Sequence, residues 1–201
     1  MLEAALGVLD REGLEAISMR RVGEALGVEA MSLYRYVPSK AALLDGLYEV
    51  VLGELPEPPP AKTLSAVLSE RARALRAAFR AHPYALPLFA SRPAVTQASI
   101  AHVEFVLDAL HRSGFSPGDA LRILQVTFAF VVGHGLSSYS PRRTDETSHP
   151  DYSALSEDSF PRVRAAARAL ADYDAEEEFE FGLAALLAGL GLEPEKRSRR
   201  R

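Results

Sequence analysis

Apolar residues recur along this chain at intervals of three and four, with no convincing alternation of the kind a strand requires. Leu2, Ala5, Leu6 and Leu9 make the stripe of a first predicted helix, which Gly13 ends. A second helix opens at Ser18, whose hydroxyl can accept from the otherwise unpaired first-turn amides, and its predicted apolar side is Val22, Ala25 and Leu26. Gly27 stops it, because glycine reaches positive φ cheaply, and Val28 and Leu33 are spaced to tuck residues 29–36 back onto it. A fourth helix follows Pro38 with Ser39 as its cap and Leu43, Leu44, Leu47, Tyr48 and Val51 on its apolar side. The stiff run Pro56, Glu57, Pro58, Pro59, Pro60 cannot continue a helix and marks a boundary. Beyond it the pattern predicts helices at 63–81, 94–112, 117–138 and 175–191, short ones near 84–90 and 159–171, and a long loop over 140–161.

The fold class is therefore all-α. Residues 1–48 form a three-helix helix-turn-helix head, its fourth helix leading into a larger body over 49–192, and 193–201 make a basic tail. Lys196, Arg197, Ser198, Arg199, Arg200 and Arg201 read as a solubilising tail, with supplementary DNA contact as the other reading.

Composition narrows the chemistry. Cysteine is absent from the 201 residues, which excludes a disulfide framework, a thiolate nucleophile and a cysteine zinc site. His82, His102, His111, His134 and His149 show no metal-ligand spacing, so neither a metal nor another cofactor is expected. No apolar run comes near the ~20 residues a membrane crossing needs, and no signal segment opens the chain, so a cytoplasmic protein without a membrane partner is expected. Gly114, Phe115, Ser116, Pro117 and Gly118 match the G-x-S-x-G pattern of serine hydrolases. A helix rather than a strand precedes them, however, and Ser116 with Asp119 reads as a helix cap. With no cluster of acid, base or ligand groups, an enzyme is not expected.

The net charge of −4 is no footprint of a nonspecific nucleic-acid binder, so any DNA affinity must come from placement. Residues 29–36 form the predicted reading helix. Its outward set is Ala30, Met31, Ser32, Tyr34, Arg35 and Tyr36, which has little reason to be exposed unless something docks there. Arg35 is suited to a bidentate guanine contact or to phosphate; Tyr34 reads equally as base contact or partial packing. Arg20, Arg21, Arg35 and Lys40, with Ser18 at a helix start, are expected to face phosphates while the acids face away. A helical protein-interaction module without DNA binding is the alternative.

The joint spacing of Gly13, Arg20-Arg21-Val22, Leu26-Gly27-Val28, Leu33-Tyr34-Arg35-Tyr36-Val37, Ser39-Lys40 and Leu43-Leu44 resembles the DNA-binding domain of the TetR family of bacterial repressors. Ser91-Arg92-Pro93, Gly114-Phe115-Ser116, Ala120-Leu121 and Phe181-Gly182-Leu183 resemble, at pattern level, its tetracycline-repressor subgroup. The resemblance implies a homodimeric regulator, most simply a repressor, which binds a palindromic double-stranded DNA operator and is released by a small-molecule effector. It places Tyr36 and Lys40 on the phosphate backbone. It also pairs helices 117–138 and 175–191 with their copies, through Phe130, Phe179, Leu183, Leu186, Leu187 and Leu190, with Gly182, Ala185 and Gly189 permitting close approach. A pocket for an apolar or aromatic effector is expected among Phe79, His82, Leu86, Phe89, His102, Glu104, Phe105, Gln125, Phe128 and His134. The subgroup's magnesium-binding histidine falls on Leu88 and its pocket glutamine on Glu104, so a magnesium-tetracycline effector does not carry over. Nor do polar and basic residues lead into the first helix as they do in the family.

Overall fold

The structure, a computed structural model, describes residues 1–57, 63–140, 152, 155–169 and 173–192. Among these the chain forms ten α-helices: α1 (Leu2–Glu12), α2 (Met19–Leu26), α3 (Ala30–Leu33), α4 (Lys40–Gly53), α5 (Leu64–Ala81), α6 (Leu86–Ser91), α7 (Gln97–Arg112), α8 (Pro117–Tyr139), α9 (Pro161–Ala169) and α10 (Ala175–Gly189). Most of the predicted loop over 140–161, the centre of the proline run and the basic tail lie outside the described residues.

Local chemistry sets most helix starts. Ser18, Ser39, Thr63 and Thr96 each accept a hydrogen bond from an amide three residues on, at 3.1–3.2 Å, so one orphan donor per helix is satisfied before any tertiary contact forms. Ser116 does the same for α8 from Asp119 at 3.2 Å, and its hydroxyl donates to the Asp119 carboxylate at 2.7 Å. The hydrolase-like motif is thus spent on starting a helix.

Two expectations for the head are corrected, and one packing constraint is added. Ala25, Leu26 and Val28 are exposed, because α2 turns Met19, Val22 and Gly23 inward instead. The reading helix is a single α-turn, Ala30–Leu33, with Tyr34 to Tyr36 in a following turn. Pro38 disfavours helical backbone at Val37, whose amide closes the segment on the Leu33 carbonyl at 3.0 Å. Finally, the packing of α3 on α2 depends on a missing side chain: a Cβ on Gly23 would lie 2.8 Å from the Val28 carbonyl oxygen and 3.3 Å from the Ala30 nitrogen.

α1 packs against both α2 and α4, and α4 in turn reaches α5, α6 and α7. Leu43, Leu47, Tyr48, Val51 and Leu52 of α4 are buried. Tyr48 stacks on Phe89 of α6 with ring centroids 4.1 Å apart, and Phe89 meets Phe79 of α5 edge-on at 4.8 Å. α8 crosses α5 and α7, and α10 closes over its far side. Contrary to the sequence expectation, α8 is long and apolar enough to cross a membrane by length and composition. Its inner side, with Ile123, Thr127, Val131 and Val132, is buried within the bundle, and this accounts for part of that apolar character.

Replacing Gly23 with alanine is expected to destabilise the chain by about 1–3 kcal/mol, since backbone and not a flexible side chain would have to move. Gly53→Ala, in open space at the end of α4, is the control and should be neutral or stabilising. Urea denaturation of both variants checks the pair.

Candidate functional site

One face of the N-terminal helices carries exposed groups that packing does not explain. Met31 is 74% exposed and Tyr36 77%, with Ser32, Tyr34 and Arg35 also outside and Ala30 half-buried, while Leu33 and Val37 point inward and hold the segment down. The Ser32 hydroxyl donates to the Glu29 carbonyl at 2.6 Å. Lys40 stands beside this face on the first turn of α4, where unpaired amides favour an anion.

The acids do not all face away from it. Arg20 pairs with Glu24 at 3.2 Å, and Arg21 makes a two-pronged contact with Glu12 at 2.8 and 2.5 Å, which holds the Glu12 carboxyl below its usual range. Arg35 and Lys40 have no acidic partner among the described residues. Of the expected phosphate-facing cations, these two are the ones left unneutralised.

A mainly apolar cavity lies between α4, α5, α7 and α8, with about 660 Å³ of empty space counting its open mouth. Tyr48, Leu52 and Leu55 form one wall, Leu68, Arg71, Ala72 and Leu75 the next, and Ser99, His102, Val103 and Val106 the third. Leu124, Thr127, Phe128 and Val131 of α8 close it. Sequence reasoning found His102 and Phe128 and missed the rest. The missed signal is an apolar stripe on α4 and another on α5 interrupted by a cation, Leu68-Arg71-Leu75.

The other expected pocket residues stand elsewhere. Phe79, Leu86 and Phe89 are solid core, filled by one another and by Tyr48. Glu104 and Gln125 are exposed, on the outer sides of their helices. Phe105 lies at the mouth, in a shallow outer depression with Arg71 and His102. His134 is buried against Phe130, Phe179 and Tyr139 under α10, with neither ring nitrogen hydrogen-bonded among the described residues. Burial lowers its pKa, against the pull of Glu178.

His82 is a clasp and not a ligand group. At the end of α5, its Nδ1 donates to the Asp10 carboxylate of α1 at 2.9 Å and its Nε2 to Glu54, just past α4, at 2.8 Å. Burial draws the imidazole pKa down, but the bonds to Asp10 and Glu54 outweigh it and leave the pKa raised. Arg92 makes a second clasp, from the end of α6 to Asp45 and to the Ala41 carbonyl of α4.

The expected pairing residues also divide. Phe179, Leu183 and Leu187 are buried inside the chain against α8. A Cβ on Gly182 would come within 2.7 Å of the Phe130 ring, so that glycine is a socket for Phe130 of the same chain. What faces outward on α10 is Phe181, 77% exposed, with Ala184, Ala185, Ala188 and Gly189, and half-buried Leu186 and Leu190 at its edges. On α8 the outward set is Leu121, Gln125, Val126, Ala129 and Gly133.

An exposed aromatic and cationic turn, joined through one helix to an apolar cavity, is the arrangement of a ligand-responsive DNA-binding transcriptional regulator. Residues 1–47 match the bacterial regulatory proteins of the tetR family, and residues 55–193 match the tetracyclin repressor-like C-terminal domain. The chain belongs to the TetR family. It is 32% identical over 217 residues to the HTH-type transcriptional repressor DrrR1 of Streptomyces coeruleorubidus, covering 94% of this chain and 75% of that one. A possible TetR family transcriptional regulator from Streptomyces coelicolor A3(2) superposes with a TM-score of 0.81 at 31% identity, covering 94% of this chain and 96% of the other. ActR from Streptomyces coelicolor, solved in complex with actinorhodin, gives 0.77 at 29% identity, with 96% of each chain covered. An interaction module without DNA binding finds no support in these likenesses.

The His82 clasp generates a pH dependence. A raised folded pKa stabilises fully below the ordinary histidine value of about 6.5 and loses that contribution as pH climbs through the folded pKa. The melting temperature of the protein, relative to His82→Asn, should therefore be highest below about pH 6.5 and lose that advantage as pH rises above it. A constant difference across that range would show that the clasp leaves the imidazole pKa unshifted.

Proposed function

We propose that this chain is a homodimeric repressor that acts on cytoplasmic DNA. The division is a head over 1–48 and an effector-binding, pairing body over 49–192. Two copies pair through the outward faces of α8 and α10, and their heads enter successive major grooves of a two-fold operator, about 34 Å apart. An apolar or aromatic effector in the cavity between α4, α5, α7 and α8 releases the DNA. The observation that carries this reading is that α4 belongs to both sites: Ser39 and Lys40 begin it beside the DNA face, and Tyr48 and Leu52 end it as a wall of the cavity.

The pairing face is supported by what is left uncovered. Phe181, Val126 and Leu121 are large apolar groups in water on a monomer, flanked by alanines and glycines that allow helices to approach closely. This outer face supplies the rest of the apolar character of α8. The DNA face is supported by Tyr36, Arg35 and Lys40, and the repressor sense by the repressor relative. Effector and DNA are linked by population shift: an effector that favours one head spacing lowers operator affinity by its differential binding free energy.

The test is a gel-shift titration against the DNA flanking the chain's own gene at several salt concentrations, with random duplex as competitor. Specific binding as a dimer is expected. Tyr36→Ala and Lys40→Ala should each weaken it by about tenfold with melting unchanged, Lys40→Ala also lowering the salt slope by about one. Phe181→Asp should give a folded monomer by analytical ultracentrifugation that no longer retards the operator. A variant that stays dimeric would move the pairing face elsewhere.

A further inference from the structure

Arg71 is a half-buried arginine that lacks an acid among the described residues; Arg164 of α9, which donates to the Leu155 carbonyl at 2.8 Å, is another, but it does not line the cavity. Arg76, whose side chain is 8% exposed, has Glu176 at 2.6 Å; half-buried Arg92 has Asp45, and half-buried Arg21 has Glu12. Arg71 has neutral acceptors only. Its Nη2 donates to His102 Nδ1 at 2.8 Å and its Nη1 to the Pro56 carbonyl at 3.1 Å, while its guanidinium lies 5.6 Å from the Phe105 ring centroid. Glu57, on the outer wall of the mouth, forms no ion pair with it. Desolvation with no compensating charge lowers the Arg71 pKa, which agrees with the geometry.

The position is as telling as the missing partner. Leu55, Arg71 and His102 line both the inner cavity and the shallow outer depression, so the guanidinium sits on the threshold of the cavity. Because His102 Nδ1 accepts from Arg71, its neutral ring carries the proton on Nε2, a second donor at the same threshold. Deeper in, the buried Thr127 hydroxyl lines the cavity with no hydrogen-bond partner among the described residues. The remaining walls are mainly apolar, Leu52, Leu68, Leu75, Val106 and Val131 among them. A half-buried cation left to neutral acceptors is costly, and a ligand carboxylate or phenolate would replace them with a charge-assisted, two-pronged bond.

Resting on the reading of this cavity as the effector site, we propose that the effector is a lipophilic organic acid, with its apolar body among α5, α7 and α8 and its anion on Arg71. The same residue then couples binding to the head. The Nη1 bond to Pro56 ties α5 to the chain just beyond α4, and an anion on the guanidinium competes for that bond.

The test uses the full chain and two isosteric probes, 2-naphthoate and 2-naphthamide, in fluorescence titration at neutral pH. Naphthoate should bind about tenfold tighter or more, equivalent to about 1.4 kcal/mol. Arg71→Gln should bind the two alike, Arg71→Lys should keep most of the preference, and Val103→Trp, which fills the half-exposed wall, should lose both. If both probes bind the unmodified chain equally and Val103→Trp abolishes both, the effector site stands and the acid preference is overturned. An acid preference that survives Arg71→Gln or Val103→Trp places the anion elsewhere and overturns the proposal. Failure of both probes to bind overturns the cavity reading with it. The Arg71→Lys comparison decides the matter if the glutamine variant does not fold.

Discussion

Everything that distinguishes this chain from a plain helical bundle depends on α4 being held in one place. Its buried stripe from Leu43 to Leu52 is gripped by α1 on one side and by α5, α6 and α7 on the other, with the Tyr48 ring stacked on Phe89. Polar clasps flank that grip: Arg92 near the helix start and His82 just past its end. A helix fixed at both ends transmits a push along its axis instead of absorbing it. For that reason a cavity that borrows Tyr48, Leu52 and Leu55 as a wall is mechanically connected to Lys40 at the other end.

The treatment of buried charge follows the same division of labour. Where the bundle needs rigidity, a cation is given a carboxylate: Arg76 and Arg73 pin α5 to Glu176 and Glu180 of α10, and Arg76 also donates to Tyr139. These bonds fix α10 on α5, and with it the face that carries Phe181. At the cavity mouth the pattern breaks, and Arg71 is left to neutral acceptors. A half-buried cation without a carboxylate, standing at the mouth of an apolar cavity, leaves its charge to be met by a group from outside.

Features that depend on neighbours in sequence were legible before the structure. The caps at Ser18 and Ser39, the stop at Gly27 and the inward Val22 and Leu33 follow from spacing alone. The outward Met31 and Tyr36 could be placed the same way. Periodicity says which side of a helix is apolar, but not what covers it. Phe79, Phe89 and Phe128 look alike in the sequence; two fill the core and one lines the cavity, because Phe79 and Phe89 pack on one another while Phe128 faces the void between α4, α5, α7 and α8. Gly182 reads as a site for a partner's backbone and is filled by Phe130 of its own chain. His82 follows the α5 stripe and reads as lining, since nothing local announces Asp10 and Glu54, which lie far off in sequence.

Glu12 and Glu24 have a meaning for how such a protein finds its target. By occupying Arg21 and Arg20 they act as internal stand-ins for phosphate, so these two arginines add little to the attraction each head offers random DNA. Nonspecific affinity grows with the number of phosphates neutralised, and a genome presents millions of wrong sites for each right one. Two carboxylates that weaken every encounter by the same amount leave more of the protein unbound. They leave the choice of site to base shape and base edges rather than to total charge.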